Sequence, residues 1–270
     1  MSFRQLHVPG QPFILANAWD LGSARILAAL GAKAIATSSA AHAFTLGLHD
    51  LGEVSRAQSV QHAAEMAAAV EVPVSADCEN GYGDSPEAVA QTIREIADAG
   101  VAGACIEDMA LADQRPYSFD QAVTRIEAAA EAARASATDF VLTARADGVM
   151  HGCYDLDEAI RRIQAFERAG ADVLYVPIPG DIEALKQICR SVSAPVNALA
   201  EGPLAQHSLA ELAAAGAARV SLGASLARVT HRALIDSARI LLSQGDFAAL
   251  SHSISGAEVE RLIDLGTTSR

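Results

Sequence analysis

The stretch "VPVSADCENGYGDSP" (Val72–Pro86) decides how this chain is read. Its first residues, Val72–Ser75, read as the start of a buried strand. The run ends in two acids one residue apart, Asp77 and Glu79, and then in a tyrosine between glycines, Gly81–Tyr82–Gly83. "DSP" opens a helix, with Ser85 as the N-cap and Pro86 in the first helical position. A strand that delivers like charges into a turn and passes directly into a helix is a βα unit with its chemistry at the strand's carboxyl end.

The unit recurs along the chain. Strands are read at 13–18, 34–39, 72–77, 103–108, 140–146, 173–178, 195–200 and 219–224. Helices are read near 20–30, 55–70, 86–99, 119–136, 156–169, 181–192, 208–215 and 226–244. Gly31, Gly100, Gly170 and Gly216 stand where left-handed helix caps are expected. The strands are nearly continuous apolar runs, as strands covered by helices on both faces are. Eight such units predict a closed (β/α)8 TIM barrel. An open doubly wound sheet would carry GxGxxG after its first strand, and "FILANAWD" is followed by none. No linker divides the chain, so one domain over 1–270 is expected. Its C-terminal helical extension, 226–270, is longer than one barrel helix requires and suits packing on a neighbouring subunit.

Composition narrows the partners. The chain has 270 residues, 51% of them hydrophobic, and a net charge of -13 from 33 acids and 20 bases. That charge argues against nucleic acid or an anionic membrane surface. The N-terminus has no apolar run of signal-peptide length, and no segment is long and apolar enough to span a bilayer. Four dispersed cysteines, Cys78, Cys105, Cys153 and Cys189, form no CxxC pair; free thiols fit a cytoplasmic location.

The strand ends collect acids. Asp77 and Glu79 follow the third strand and Glu107 ends the fourth. Adjacent strands lie about 4.8 Å apart, so these carboxylates are expected to converge if strand geometry persists as far as Glu79. Like charges that close repel strongly in a low-dielectric pocket. No lysine stands at these strand ends, and Arg145 alone does not balance the count. A divalent cation does, and an all-oxygen set completed by water suits Mg²⁺, with Mn²⁺ as the alternative.

These residues also carry a likeness. "SADCENGYGD", "GVAGACIEDM" and "TARADG" resemble the isocitrate lyase and phosphoenolpyruvate mutase superfamily, from about "NAWDLGSARILAALGAKAIATSS" to "PVNALAEGP". The resemblance implies a barrel that holds Mg²⁺ through carboxylates and binds a small 2-oxo acid or enolpyruvate. It also implies a homo-oligomer, dimer or tetramer, with a C-terminal helix exchanged between subunits. Asp77 and Glu79 match the family's DxD pair, with Glu79 one methylene longer than the usual Asp. Glu107 matches the third acid, and Asp50 an acid that reaches the metal, usually through water. Ser38, Ser39 and Ala40 match the segment that grips the substrate carboxylate. Arg145 matches an arginine that pairs with substrate oxygen, Asn197 a polar residue of the seventh strand, and Trp19 a wall of the site.

One departure bears on the reaction. The family's C–C lyases carry a KxCGH lid whose cysteine is the catalytic acid or base, and the phosphonate mutases a KTNS-like lid. Here "DMALADQRPYSFDQ" stands in that place, with Gln114, Arg115 and Tyr117 as its polar groups. The expected function is a Mg²⁺-dependent lyase or hydrolase that cleaves a C–C bond in an oxaloacetate- or methylisocitrate-like acid. Arg145, Glu107 and Tyr82 are the candidate catalytic residues, and His42, Tyr82 and Tyr117 the candidates for proton transfer. Three alternatives stay open: a P–C bond enzyme, a non-catalytic 2-oxo-acid binder, and a phosphate-binding barrel using Gly202 and Gly223.

Overall fold

The computed structural model describes residues 2–267; Met1 and residues 268–270, the last of the expected extension, lie outside them. Strands β1 (Phe13–Asn17), β2 (Ile35–Ala36), β3 (Val74–Asp77) and β4 (Gly103–Glu107) lead into a small antiparallel hairpin, β5 (Met109–Ala110) and β6 (Arg115–Pro116). Strands β7 (Val141–Arg145), β8 (Val173–Tyr175), β9 (Val196–Leu199) and β10 (Arg219–Ser221) follow. Omitting the hairpin, eight strands close a parallel barrel in the order β1-β10-β9-β8-β7-β4-β3-β2. The register sets Asp77 opposite Cys105 and Glu107 opposite Arg145, so the acids and the arginine reach one rim.

The helices are α1 (Leu21–Ala29), α2 (Ser39–Thr45), α3 (Arg56–Ala69), α4 (Pro86–Asp98) and α5 (Phe119–Ala135), then α6 (Leu156–Ala169), α7 (Ile182–Ser191), α8 (Leu209–Ala214), α9 (Ser225–Gln244) and α10 (Gly256–Leu265). Every helix start but that of α9 carries a side-chain cap. Ser85 accepts from the Ala88 N–H ahead of α4, with Pro86 behind it, and Ser55 and Gln58 form a capping box on α3. Gly170 closes α6 at φ +103°, a conformation costly for a residue with a Cβ. The inward faces are apolar: Ile93 and Ile96 of α4, Ile126 of α5 and Ile163 and Phe166 of α6 are fully or almost fully buried. Each such side chain contributes about 1.5–3 kcal/mol of transfer free energy.

Two local readings are corrected. The strand expected at 34–39 is only Ile35–Ala36, because the Ser38 hydroxyl caps a new helix, α2, by accepting from Ala41 N–H at 3.3 Å. The 109–116 hairpin was not anticipated; its strands are two residues each, below the length at which alternation can be read.

The barrel floor is closed by a 3₁₀ turn, Arg4–Leu6, whose neighbours Phe3 and His7 pack edge-on against Phe13. Close approach here requires Gly103: a Cβ there would stand 2.5 Å from the Val141 carbonyl oxygen and 3.0 Å from the Phe3 ring. At the other end of the chain, α9 leaves the wall uncovered. Only Ala227 of α9 is buried, and Ile14 of β1, which a barrel helix ordinarily covers, is 47% exposed.

Candidate active site

The carboxyl rim surrounds a cavity of about 220 Å³. Asp50, Asp77, Glu79 and Glu107 line it, with Arg145 and Asp147 from the end of β7. Ser38, Ser39 and Ala40, at the start of α2, line it too. Four loops thus bring the expected metal acids and carboxylate-gripping segment to one space.

Arg145 occupies the centre. Its Nη1 is 3.2 Å from Asp77 Oδ1 and 3.0 Å from Glu107 Oε1, while Nε and Nη2 reach the two Asp147 oxygens at 3.1 and 2.6 Å. Four of the five guanidinium N–H groups are engaged, which leaves one on Nη2. Burial works against the charge, but Asp147, Glu107 and Asp77 outweigh it and hold Arg145 protonated well above its ordinary value. Beneath it the Tyr175 ring lies 5.0 Å from the guanidinium carbon.

The acids differ in their surroundings. Asp77 Oδ2 accepts from both the N–H and the hydroxyl of Ser39, each at 2.9 Å, and Oδ1 from the Cys105 thiol at 3.3 Å. Ser39 therefore holds an acid in this structure. Glu107 is pushed well above its ordinary value by burial and by crowding from Asp147, Asp77 and Glu79, against the pull of Arg145. Glu79 is raised to about 7 by burial, with repulsion from Asp77 and Asp50 adding to it. Its Oε1 accepts from Gly52 N–H at 3.1 Å, whereas Oε2 is buried with no hydrogen-bond partner.

Strand geometry does not persist to Glu79. Its φ is +46°, a left-handed conformation that costs a side-chain-bearing residue energy, and Tyr82 follows at +57°. The turn is held from behind by α5. Arg125 donates to the Gly83 carbonyl at 2.7 Å and to the Asn80 carbonyl, and its guanidinium lies 4.1 Å from the Tyr117 ring centre. The Tyr117 hydroxyl accepts from Asn80 at 2.8 Å and donates to Asp84 at 2.6 Å.

That network places the expected proton-transfer groups elsewhere. Tyr117 is buried with its hydroxyl committed, and burial pushes it up to about 12. Tyr82 lines a separate cavity of about 540 Å³ between residues 51–56, the glycine turn and the hairpin. His42 stacks on His62 with ring centres 3.7 Å apart, away from the acids. Trp19 packs with Ala40, Ala41, Ala224 and Ala227. Asn197 lies deeper in the barrel, bonded to Ser221 and Arg219.

Several site residues had no strong signal in the sequence. Asp147 is the bidentate partner of Arg145, and Asp108 fixes it from behind by accepting its N–H at 2.8 Å, while Tyr154 and Arg162 bond the same Asp108. His151 and the Glu201–Arg228 ion pair border the cavity. The spacing R-A-D, with two side chains on one strand face, was the available sign of the Arg145–Asp147 pair.

All four acids offer oxygen, one buried oxygen of Glu79 lacks a partner, and burial and mutual repulsion raise Glu79 and Asp50. Among the described residues no group of three or more His, Cys, Asp or Glu side chains is placed so as to hold a metal ion as they stand, with Asp77 and Glu107 engaged by Arg145. What fits is the donor chemistry: oxygen alone, with one unpartnered carboxylate oxygen, is the donor type that hard cations such as Mg²⁺ take together with several waters.

A parallel barrel whose carboxyl rim carries clustered acids around one arginine has the architecture of a (β/α)8 enzyme with its active site at that rim. The chain belongs to the phosphoenolpyruvate phosphomutase family, whose model matches residues 3–242. It lies within the isocitrate lyase/phosphoenolpyruvate mutase superfamily of lyases and mutases. A solved Burkholderia cenocepacia J2315 structure, described provisionally as a lyase/mutase, is 44% identical with TM-score 0.91, over 96% of this chain and 93% of that one. An oxaloacetate decarboxylase of Paraburkholderia xenovorans (strain LB400) is 31% identical over 94% of this chain and 84% of its own length. An oxaloacetate acetylhydrolase solved with its product oxalate superposes with TM-score 0.86 at 25% identity, over 98% and 93% of the two chains.

Proposed function

We propose that this enzyme is a Mg²⁺-dependent carbon–carbon lyase for a small β-carboxylated 2-oxo acid, with oxaloacetate as the model substrate. One observation carries the reading: an arginine held by three acids faces an acid-lined cavity. Loss of CO₂ from a β-oxo carboxylate needs no base to begin. The bond between the β-carbon (C3) and its carboxylate breaks, its electron pair passes through C2 to the keto oxygen as CO₂ leaves, and the enolate takes a proton from water at C3. Such a reaction demands charge stabilisation above all.

Asp77, Glu79 and Glu107, with Asp50 through water, would hold the ion, which supplies Lewis acidity to a bound 2-oxo acid. The remaining Nη2–H of Arg145 donates to the substrate oxygen that gains charge. The Ser38 hydroxyl and the Ala40 N–H grip the carboxylate that stays. Asp147 fixes the guanidinium plane, and Asp108 fixes Asp147. The decarboxylase and acetylhydrolase relatives support a C–C reading; the phosphomutase family model keeps cleavage of a P–C bond as the second reading.

We further propose one barrel domain that assembles as a homo-oligomer, with the α9–α10 region, from residue 226 onward, exchanged between subunits. Val229, Leu234 and Leu242 of α9 are exposed, and an apolar groove of about 350 Å³ lined by Ile14, Leu27 and Leu30 is open beside β1. No described helix is long and apolar enough to cross a membrane, and the four thiols are unpaired; both support a cytoplasmic setting.

The test is pyruvate formation from oxaloacetate, coupled to NADH oxidation by lactate dehydrogenase, with Mg²⁺ and with EDTA, over the non-enzymatic background. Phosphonopyruvate and methylisocitrate belong on the same panel. Tight oxo-acid binding with no turnover of any substrate would instead mark a non-catalytic binder.

A further inference from the structure

Below the rim the barrel interior holds a cationic group that no acid matches. Arg219, the first residue of β10, points inward and is 3% exposed. Its Nε donates to Asn197 Oδ1 at 2.8 Å and its Nη1 faces His7 Nε2 at 3.3 Å. Both partners are neutral: burial and the neighbouring Arg219 lower His7 to about 3, so its ring nitrogen accepts. Among the described residues no ion pair joins Arg219 to a carboxylate, whereas Arg145 above it has three. A buried charge without a counter-charge is costly, and proteins ordinarily pair it.

Arg219 borders an internal cavity of about 50 Å³, distinct from the rim cavity although Asp77, Arg145, Tyr175 and Gly223 border both. Its other walls include polar groups, Asn17, Thr37, Ser75 and Ser221. The Ser221 hydroxyl accepts from Asn197 and is hydrogen-bonded to Tyr175, so the donor left for the space is the Arg219 guanidinium. That volume exceeds what a single water needs and is too small for a 2-oxo acid, whose pocket volumes run to hundreds of Å³. The only fixed acid on its wall, Asp77, is already bonded to Ser39, Cys105 and Arg145.

We propose that this cavity is a binding site for one small monovalent anion of chloride size, held by the guanidinium of Arg219. The anion neutralises Arg219 inside the barrel and keeps the Arg219–Asn197–Ser221 chain in place beneath Arg145. It lies outside the substrate site and does not depend on which bond the enzyme cleaves.

A crystal soaked in sodium bromide tests the site directly by anomalous scattering. A bromide peak within hydrogen-bond reach of Arg219, present in the wild type and lost in Arg219→Met, is the expected result. Surface bromide peaks with only water beside Arg219 would overturn the proposal. In solution, replacing chloride by gluconate at constant ionic strength should lower the melting temperature by several degrees, restored saturably by chloride or bromide. If Arg219→Met does not fold, this wild-type titration still decides: a melting temperature indifferent to the anion contradicts the site. Neither readout uses activity, so a failed lyase assay leaves the result interpretable.

Discussion

Arg145 on β7 and Asp77 on β3 meet at 3.2 Å although 68 residues separate them in the chain. The same Nη1 reaches Glu107, so the arginine stands between two of the acids assigned to the metal. The pair ties the cationic and anionic halves of the site into one unit: neither residue can be changed without freeing charge in a buried place.

Arg145→Lys is expected to lower kcat/KM by at least 10²-fold, because an ammonium cannot reproduce the bidentate bond to Asp147 while also reaching Asp77 and Glu107. Steady-state kinetics, with circular dichroism to verify folding, checks this. A loss of threefold or less would remove Arg145 from the chemistry.

Glu79 predicts a pH signature in the metal-free protein. Its folded value of about 7 lies above the ordinary 4.5, so the native state binds more protons than the unfolded state between those values. Stability therefore falls as pH rises from about 4.5 to about 7, by on the order of 3 kcal/mol from this group. Urea titrations in EDTA across that range should show the slope, Glu79→Gln should flatten it, and saturating Mg²⁺ should flatten it in the wild type.

Gly103→Ala is expected to destabilise the fold by about 1–3 kcal/mol, since the added methyl meets the Val141 carbonyl and the Phe3 ring with no room to relax. Denaturant midpoints measure it. An unchanged midpoint would mean that the barrel floor is looser than its packing implies.

Light scattering should report a dimer or tetramer for the wild type. Val229→Asp with Leu234→Asp, both on exposed α9 positions, should shift it toward monomer while leaving far-ultraviolet circular dichroism unchanged. A wild-type monomer at micromolar concentration would refute the exchanged-helix arrangement.

The barrel was legible because each βα unit repeats the same local signals: an apolar run, a capping residue such as Ser85 or Asp155, and an apolar helix face. Asp77, Glu79, Glu107 and Arg145 were legible because they sit at or next to strand ends. What escaped depends on distance in three dimensions. Nothing in "SSAAHAF" shows that Ser39 would hold Asp77, or that α2 would replace the end of a strand. Tyr117 and Tyr82 read as candidate acids until packing commits the first to Asn80 and Asp84 and places the second on another cavity. Arg219 read as an ordinary strand residue; only the barrel's closure reveals a buried cation.

The central claim is that the acids at β3 and β4 hold a divalent cation with which a 2-oxo acid binds. Calorimetric titration of oxalate, a non-reactive stand-in for the bound acid, into the protein with and without Mg²⁺ tests it most directly. Saturable binding that requires Mg²⁺ and disappears in Asp77→Ala is the predicted result. Oxalate binding that is the same in EDTA, or that survives Asp77→Ala unchanged, would contradict the account.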